Sequence, residues 1–342
     1  VVAHGWSTVA VLARPDGFDD GTISALRSWM EPRGFDLDWY PGVDTGALRP
    51  VNRLGTSDLA DAAAAGTRSA AAAAAFADAY LFAVEPATDA RPYPHHFLSA
   101  RATLGMLRQE RGSWLPFAEW GPIAAAAAVV QAAVLGGLCI LLPALARRGR
   151  RPPTRHWTRL VAYFALVGFG YMSAEIAGIQ QLQLLLGHPV YAVAALLALL
   201  LFTSGVGAIW SDRLLPQRGA PLAASLGGIL AACALILLPL VEALLPAAIW
   251  WRGLAGFACL APVGFLMGTP FALGLRRLTR EDDGSIGLAW ASNAFASVVA
   301  APLAALIAME LGSPAVFALS AAAYLASAVL YGWRTSPATA PV

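Results

Sequence analysis

Gly168-Phe169-Gly170-Tyr171-Met172-Ser173-Ala174-Glu175-Ile176-Ala177-Gly178-Ile179-Gln180-Gln181-Leu182-Gln183 is the stretch whose reading decides the fold. It lies inside a run of mainly apolar residues from 157 to 186. That run holds one acid, Glu175, and one base, Arg159 near its start. About 20 apolar residues are needed to cross roughly 30 Å of hydrocarbon as a helix. The run is long enough, so it reads as a membrane span with a carboxyl group at depth.

Runs of the same kind lie on either side, at 121–146, 188–210, 220–244, 249–275, 284–309 and 313–333. Seven spans is the resulting count. Spans two and three meet in a very tight turn at Gly187-His188-Pro189. The arginines alternate with the spans. Arg147, Arg148, Arg150, Arg151 and Arg155 lie in the loop after the first span, with Arg159 just beyond. Arg213 and Arg218 follow the third, Arg276, Arg277 and Arg280 the fifth, and Arg334 the seventh. The intervening loops hold only Arg252, with Glu242 and Glu310. By the positive-inside rule the Arg-rich loops and the C-terminus are expected in the cytoplasm, and residues 1–119 outside it.

Composition agrees with a membrane protein. The 342 residues are 58% hydrophobic and 13% charged, against about half and a quarter in soluble domains. Such a chain cannot be intrinsically disordered. A net charge of +2 supplies no basic surface for nucleic acid. All the basic residues are arginine, which excludes lysine Schiff-base chemistry. Cys139, Cys233 and Cys259 sit inside apolar runs and read as small buried hydrophobes. The chain opens on Val1 with no initiator Met and no signal-peptide pattern, so its start is expected upstream.

Residues 1–119 carry a net charge of −4 and residues 120–342 a net of +6. The boundary between a polar territory, 1–118, and a membrane domain, 119–342, is placed there. In the first territory Ser7–Ala13 reads as a buried strand. Residues 21–32 place Ile23, Leu26, Trp29 and Met30 at helical spacing, with Gly34 at the C-terminal stop. Phe35–Tyr40 alternates apolar and polar and breaks at Pro41-Gly42. Strand, helix, strand make one βαβ-like unit of an α/β domain. Residues 62–79 read as one Ala-rich helix interrupted by Gly66. No GxGxxG loop, Walker loop or GxSxG elbow is present in the chain. The segment from Glu85 to Phe97 is the most distinctive polar stretch. Asp89 and Arg91 flank a prolyl turn, with His95 and His96 behind it. Two readings apply: a substrate or metal pocket using His95 and His96, with Asp89, Arg91 and His95 as candidate turn and pocket residues, or a rigid linker with Asp89 capping its turn.

Four polar groups inside the spans are candidates for function, because ionisable and amide groups are costly at membrane depth. These are Glu175, Gln180, Gln183 and Asn293. At about 100° per residue, Glu175 and Gln183 are about 80° apart on the helix, and Gln180 is about 140° from Glu175. They therefore address different neighbours. A proton or cation relay is one reading, and interhelical hydrogen bonding the other. Asp212, Glu242, Arg252 and Glu310 lie near span ends, where water reaches them. Gly264 and Gly268 form a GxxxG flanked by Pro262 and Pro270, which permits close helix approach or a kink.

The same stretches resemble the membrane-bound spermidine synthase-like proteins of bacteria. The resemblance is carried by Gly34-Phe35-Asp36 with Pro41-Gly42, and by Pro86-Ala87-Thr88-Asp89-Ala90-Arg91-Pro92. It continues through Gly170-Tyr171-Met172, Glu175-Ile176, Ile179-Gln180 and Leu186-Gly187-His188-Pro189. Gly268-Thr269-Pro270 through Arg276 and Trp290-Ala291-Ser292-Asn293 complete it. Ala90 departs from the acid usual at its position, and Tyr93-Pro94-His95 from the usual aromatic run. The resemblance implies a mainly α-helical polytopic membrane protein of about seven transmembrane helices. A partial α/β Rossmann-like domain precedes it, joined in the bacterial inner membrane. It further implies aminopropyl transfer, with S-adenosylmethionine or its decarboxylated form as cofactor. The Gly-rich cofactor loop and catalytic acids would lie upstream, so no catalytic, cofactor-binding or metal-binding residue is assigned. The alternatives are a transporter or channel-like module for polyamines or other small cations, and a non-catalytic membrane scaffold. The lipid bilayer is the expected partner in every case.

Overall fold

The computed structural model describes residues 1–6, 8–44, 48, 58–108, 119–147, 157–279 and 285–331. The arginines at 148, 150, 151, 155, 280 and 334, and Ser7 of the expected first strand, lie outside the described residues. The chain divides into two compact units, Val1–Glu85 and Pro86–Val342. The segment from Pro86 to the first span thus groups with the helices. The boundary expected at 118/119 falls at the end of a stretch outside the described residues.

The first unit holds three strands, β1 Val2–His4, β2 Val9–Val11 and β3 Asp36–Trp39, and helices α1 Asp20–Met30, α2 Leu59–Arg68 and α3 Ala70–Ala79. The sheet order is β2-β1-β3, and β1 is antiparallel to both neighbours. The expected strand–helix–strand is present as β2-α1-β3, and these two strands run the same way. They are not hydrogen-bonded to each other, because β1 lies between them.

The strand expected to be buried, β2, is an exposed edge: Val9 and Val11 face outward. The buried strand is β1, with Val2, Ala3 and His4 all inside. Its apolar run is too short to register in a periodicity reading. In β3 the buried face carries Asp36 and Asp38, while Leu37 and Trp39 are half-buried. Alternation alone would turn the apolar face inward. His4 of β1 reverses that choice, as its geometry below explains.

In α1, Ile23 and Met30 are buried, Leu26 is half-buried and Trp29 is exposed under the Arg33 guanidinium, 4.4 Å from its ring centre. Gly34 stops the element at φ +72°, a left-handed conformation that favours glycine. The Ala-rich stretch breaks at Ser69, not at Gly66. Ser69 is extended, and its hydroxyl accepts the Ala72 amide as the N-cap of α3. Gly66 stays helical.

Asp19 caps α1 by accepting the Thr22 amide at 2.6 Å, and the Thr22 hydroxyl together with this amide holds its carboxyl below the ordinary value. A depressed carboxyl contributes stability above its unfolded pKa and loses it as pH falls through the folded one. Amide protection of Thr22 should therefore fall on acidification in the wild type. In Asp19→Asn it should stay level over the same range; an identical acid profile would remove the charge from the account.

The second unit is helical. It comprises α4 Ala100–Arg108, α5 Trp120–Gly136, α6 Leu142–Arg147, α7 Trp157–Leu186, α8 Pro189–Ser211, α9 Gly219–Leu244, α10 Ile249–Thr279, α11 Ile286–Leu311 and α12 Ser313–Leu330. A π-helical turn, Gly137–Leu141, joins α5 to α6. Seven helices among the described residues are long and apolar enough to span a membrane: Trp120–Leu141, Trp157–Leu186, Pro189–Ser211, Pro216–Leu244, Ile249–Leu278, Ile286–Leu311 and Ser313–Leu330. These are the seven expected runs, with ends shifted by a few residues. The chain is a multi-pass membrane protein by this measure.

Aromatic residues mark both ends of the spans. Trp120, Tyr191, Trp250 and Trp251 are exposed near the starts of the first, third and fifth spans. Trp157 and Trp290 stand near the starts of the second and sixth, and Trp210 near the end of the third. Alternating helices place these as two belts, the arrangement amphipathic rings adopt at the two membrane surfaces.

Helix α7 is the hub, packed against α8, α9, α10, α11 and α12. Its core residues include Tyr163, Phe164, Val167, Ala174, Ala177, Leu182 and Leu185. The tight turn between α7 and α8 uses Gly187 at φ +71° and Pro189 in the first helical turn. Helix α5 packs chiefly on α11 and leaves most of its surface outward. Cys139, on the π turn beyond it, is exposed, and Cys233 and Cys259 are only partly buried. The expectation of three buried thiols is thereby corrected. An apolar helix facing lipid does not hide its side chains from the outside of the protein.

The GxxxG of α10 makes the expected close approach. Gly268 lies against the Ser204 carbonyl of α8, and Gly264 against the Thr203 side chain. Pro270 cannot donate to the carbonyl one turn back. That carbonyl, of Leu266, instead accepts the Thr269 hydroxyl at 2.8 Å.

Candidate functional site

The candidates inside the spans fall into separate environments, as their angular spacing requires. Glu175 is half-buried on α7. One turn before it Tyr171 lies within electrostatic reach of Glu175 and bonds Ser204 of α8. Gln180 donates to the Tyr93 hydroxyl at 2.5 Å. Gln183 is exposed. Asn293 of α11 donates to the Phe164 carbonyl of α7 at 3.1 Å. Gly168 makes that contact fit, since a Cβ there would lie 2.7 Å from the Asn293 amide nitrogen. Asn293 is thus built into helix packing. Gln181, which was not singled out, is buried and donates to the Ser313 hydroxyl of α12 at 2.7 Å. Ser320 of α12 donates to the Gly170 carbonyl at 2.6 Å. Among the described residues no hydrogen-bond partner is found for the buried Ser173 and Tyr324 hydroxyls or the carbonyl oxygens of Gln180 and Gln181.

Among the described residues no hydrogen bond or ion pair is found that joins Asp89 to His95. Asp89 and His95 are exposed. Thr88 and Arg91 close the turn with paired backbone hydrogen bonds, and the Thr88 hydroxyl, rather than Asp89, accepts the Arg91 amide. A hydroxyl one residue earlier reaches the amide across the corner. Arg91 donates to the Glu310 carbonyl of α11 at 3.3 Å.

The histidine that matters here is His96. Its Nδ1 faces both Glu119 carboxylate oxygens, at 3.2 and 3.3 Å, and its Nε2 faces Glu310 Oε1 at 3.2 Å. The His96 side chain is 5% exposed. Glu119 also accepts the Phe97 and Leu98 amides at 3.0 Å, and Glu310 accepts the Ala100 amide at 3.0 Å. Tyr93, three residues earlier, holds Gln180, and burial pushes its phenol up, so it keeps its proton at neutral pH. The Ala90 carbonyl accepts the Ser313 amide, an orphan donor at the start of α12. Residues 86–99 thus form a strap tied to the ends of α5, α7, α11 and α12. Two histidines in a row advertised this segment; which one turns inward depends on two carboxylates from distant parts of the chain.

A second polar group lies in the first unit. His4, 2% exposed, places Nδ1 2.8 Å from both Asp38 oxygens and Nε2 3.7 Å from Asp36 Oδ2. Asp36 and Asp38 are each 8% exposed. Residues two apart on β3 face one way, which brings both carboxylates to the same imidazole across the strand pair. Nothing in the spacing of His4 from these acids signals the cluster. Among the described residues no group of three or more His, Cys, Asp or Glu could hold a metal ion. No family model, no curated protein and no solved structure matches the chain.

Proposed function

We propose that this chain is the membrane part, with an attached α/β unit, of a spermidine synthase-like protein of the bacterial cell membrane. In this reading the α/β unit is the tail of a Rossmann-like domain. The whole protein transfers an aminopropyl group from decarboxylated S-adenosylmethionine to an amine. The Arg-rich loops and the C-terminus face the cytoplasm. The supporting observation is that the motifs carrying the resemblance coincide with the contacts that build the bundle. Gly170, Gln180, Gly268 and Asn293 each meet a neighbouring helix or the strap. The test is to supply decarboxylated S-adenosylmethionine and putrescine to membranes containing the full-length protein. Aminopropylated product is expected; its absence from folded protein overturns the transferase reading.

A second reading, cation or polyamine movement through the bundle, has its own observation. Glu175 sits at membrane depth, with no hydrogen bond or ion pair found for it among the described residues. Polyamine uptake into proteoliposomes should then fall in Glu175→Gln. Equal uptake would discard it.

A further inference from the structure

We propose that His96 is a proton-operated latch that fastens the strap, residues 86–99, across one end of the helix bundle. The argument is one of hydrogen-bond supply. A neutral imidazole has one N–H and one bare nitrogen. Both His96 nitrogens face carboxylate oxygens, at 3.2 to 3.3 Å. Carboxylates only accept, so both contacts are made only by the imidazolium. When the ring loses its proton, one nitrogen lone pair is left against a carboxylate, and two acids face a neutral ring.

The loss spreads because the same carboxylates hold the strap backbone. Glu119 takes the Phe97 and Leu98 amides, and Glu310 takes the Ala100 amide. The groups facing His96 are Glu119, just before α5, and Glu310 of α11. The neighbouring charged group is Arg91, whose guanidinium donates to the Glu310 carbonyl. From α7 the strap meets uncharged Gln180 through Tyr93, and from α12 it meets the Ser313 amide through the Ala90 carbonyl. His95 and Asp89 are exposed on the strap itself. Opening the latch frees the strap to leave the end of α7, the helix that carries Glu175. The inference holds whichever reading of function is right.

Hydrogen–deuterium exchange on the full chain in lipid nanodiscs tests it. The amides of Phe97, Leu98 and Ala100 are followed from about pH 6 to about pH 8, within the range where histidines change charge. Rates are corrected for intrinsic exchange. Wild-type protection should fall about tenfold, the equivalent of one charge-assisted hydrogen bond. In His96→Gln the difference between the two pH values should vanish. In Glu310→Gln protection of the Phe97 and Leu98 amides should persist at pH 8, because the new amide can donate to the bare nitrogen of a neutral ring; the Ala100 amide, which shares that atom as its acceptor, is left out of this comparison. Protection in the wild type that is the same at both pH values overturns the latch. So does a Glu310→Gln protein whose Phe97 and Leu98 amides lose protection as the wild type's do. The wild-type measurement decides the matter even if a variant fails to fold.

Discussion

Replacing Gly268 by alanine is expected to destabilise the detergent-solubilised bundle by about 3 kcal/mol, the upper end of the usual cost of forcing a methyl group into a packed interior. A Cβ at Gly268 would stand 1.9 Å from the Ser204 carbonyl oxygen and 2.9 Å from its Cα. These are backbone atoms, so no side-chain rotation relieves the clash. The contact is reciprocal: a Cβ at Gly207 of α8 would stand 1.9 Å from the Phe265 carbonyl oxygen of α10. Each glycine admits the other helix's carbonyl, so α8 and α10 must move apart if either gains a side chain. With no hydrophobic force between helices in lipid, close packing is most of what holds them together.

The control lies on the partner helix, α8, two residues before Gly207. A Cβ at Gly205 meets nothing within 4 Å. Gly205→Ala should be neutral or should gain up to about 1 kcal/mol from helix propensity. Gly227 and Gly228 of α9 repeat the contrast at adjacent positions, with Leu325 and Ala321 crowding only the first. Reversible unfolding in mixed micelles reads both pairs. Wild-type stability in Gly268→Ala would show that α8 and α10 do not meet at this crossing.

Asp38→Ala should destabilise the first unit by about 3 kcal/mol, the upper end of the cost of leaving a buried polar group without its hydrogen-bond partner. The carboxylate holds His4 Nδ1 with both oxygens, and both residues are nearly sealed from water. Its removal withdraws the main charge facing the ring and leaves a cavity in the sheet interior. Asp38→Asn keeps an acceptor and should cost less. Exchange of the Ala3 and Leu37 amides in the full chain, which lie in the β1–β3 ladder, gives the local readout. Protection in Asp38→Ala equal to that of the wild type would mean that the pair does not support the sheet.

These two sites differ in how far they were legible. The GxxxG of α10 is visible in sequence, and close approach or a kink was its expected use. What the spacing could not name was the partner: Thr203 and Ser204 of α8 meet these glycines because α8 and α10 cross there. His4 gave no signal at all. Alternation in residues 35–40 indicates a strand, and a period of two places Asp36 and Asp38 on one face. It does not say which face is covered. The strap shows the same limit. Its prolines and paired histidines mark it as ordered and polar, and the pocket reading named both His95 and His96 without saying which turns inward. The inward residue is His96, because Glu119 and Glu310 converge on it from residues 23 and 214 positions away.

The sequence by itself determined the number of spans, their approximate ends, the α1 stop at Gly34 and the turn at Gly187. Those features depend on the thickness of hydrocarbon or on the backbone preferences of a few consecutive residues. The tertiary structure alone decided that β1 lies between β2 and β3, and that β3 buries its aspartates. It alone decided that Asn293 serves packing and that residues 86–99 close over the helix ends. Each of these depends on a partner distant in the chain. Local periodicity assigns a residue to a face; only the folded chain brings something to meet it.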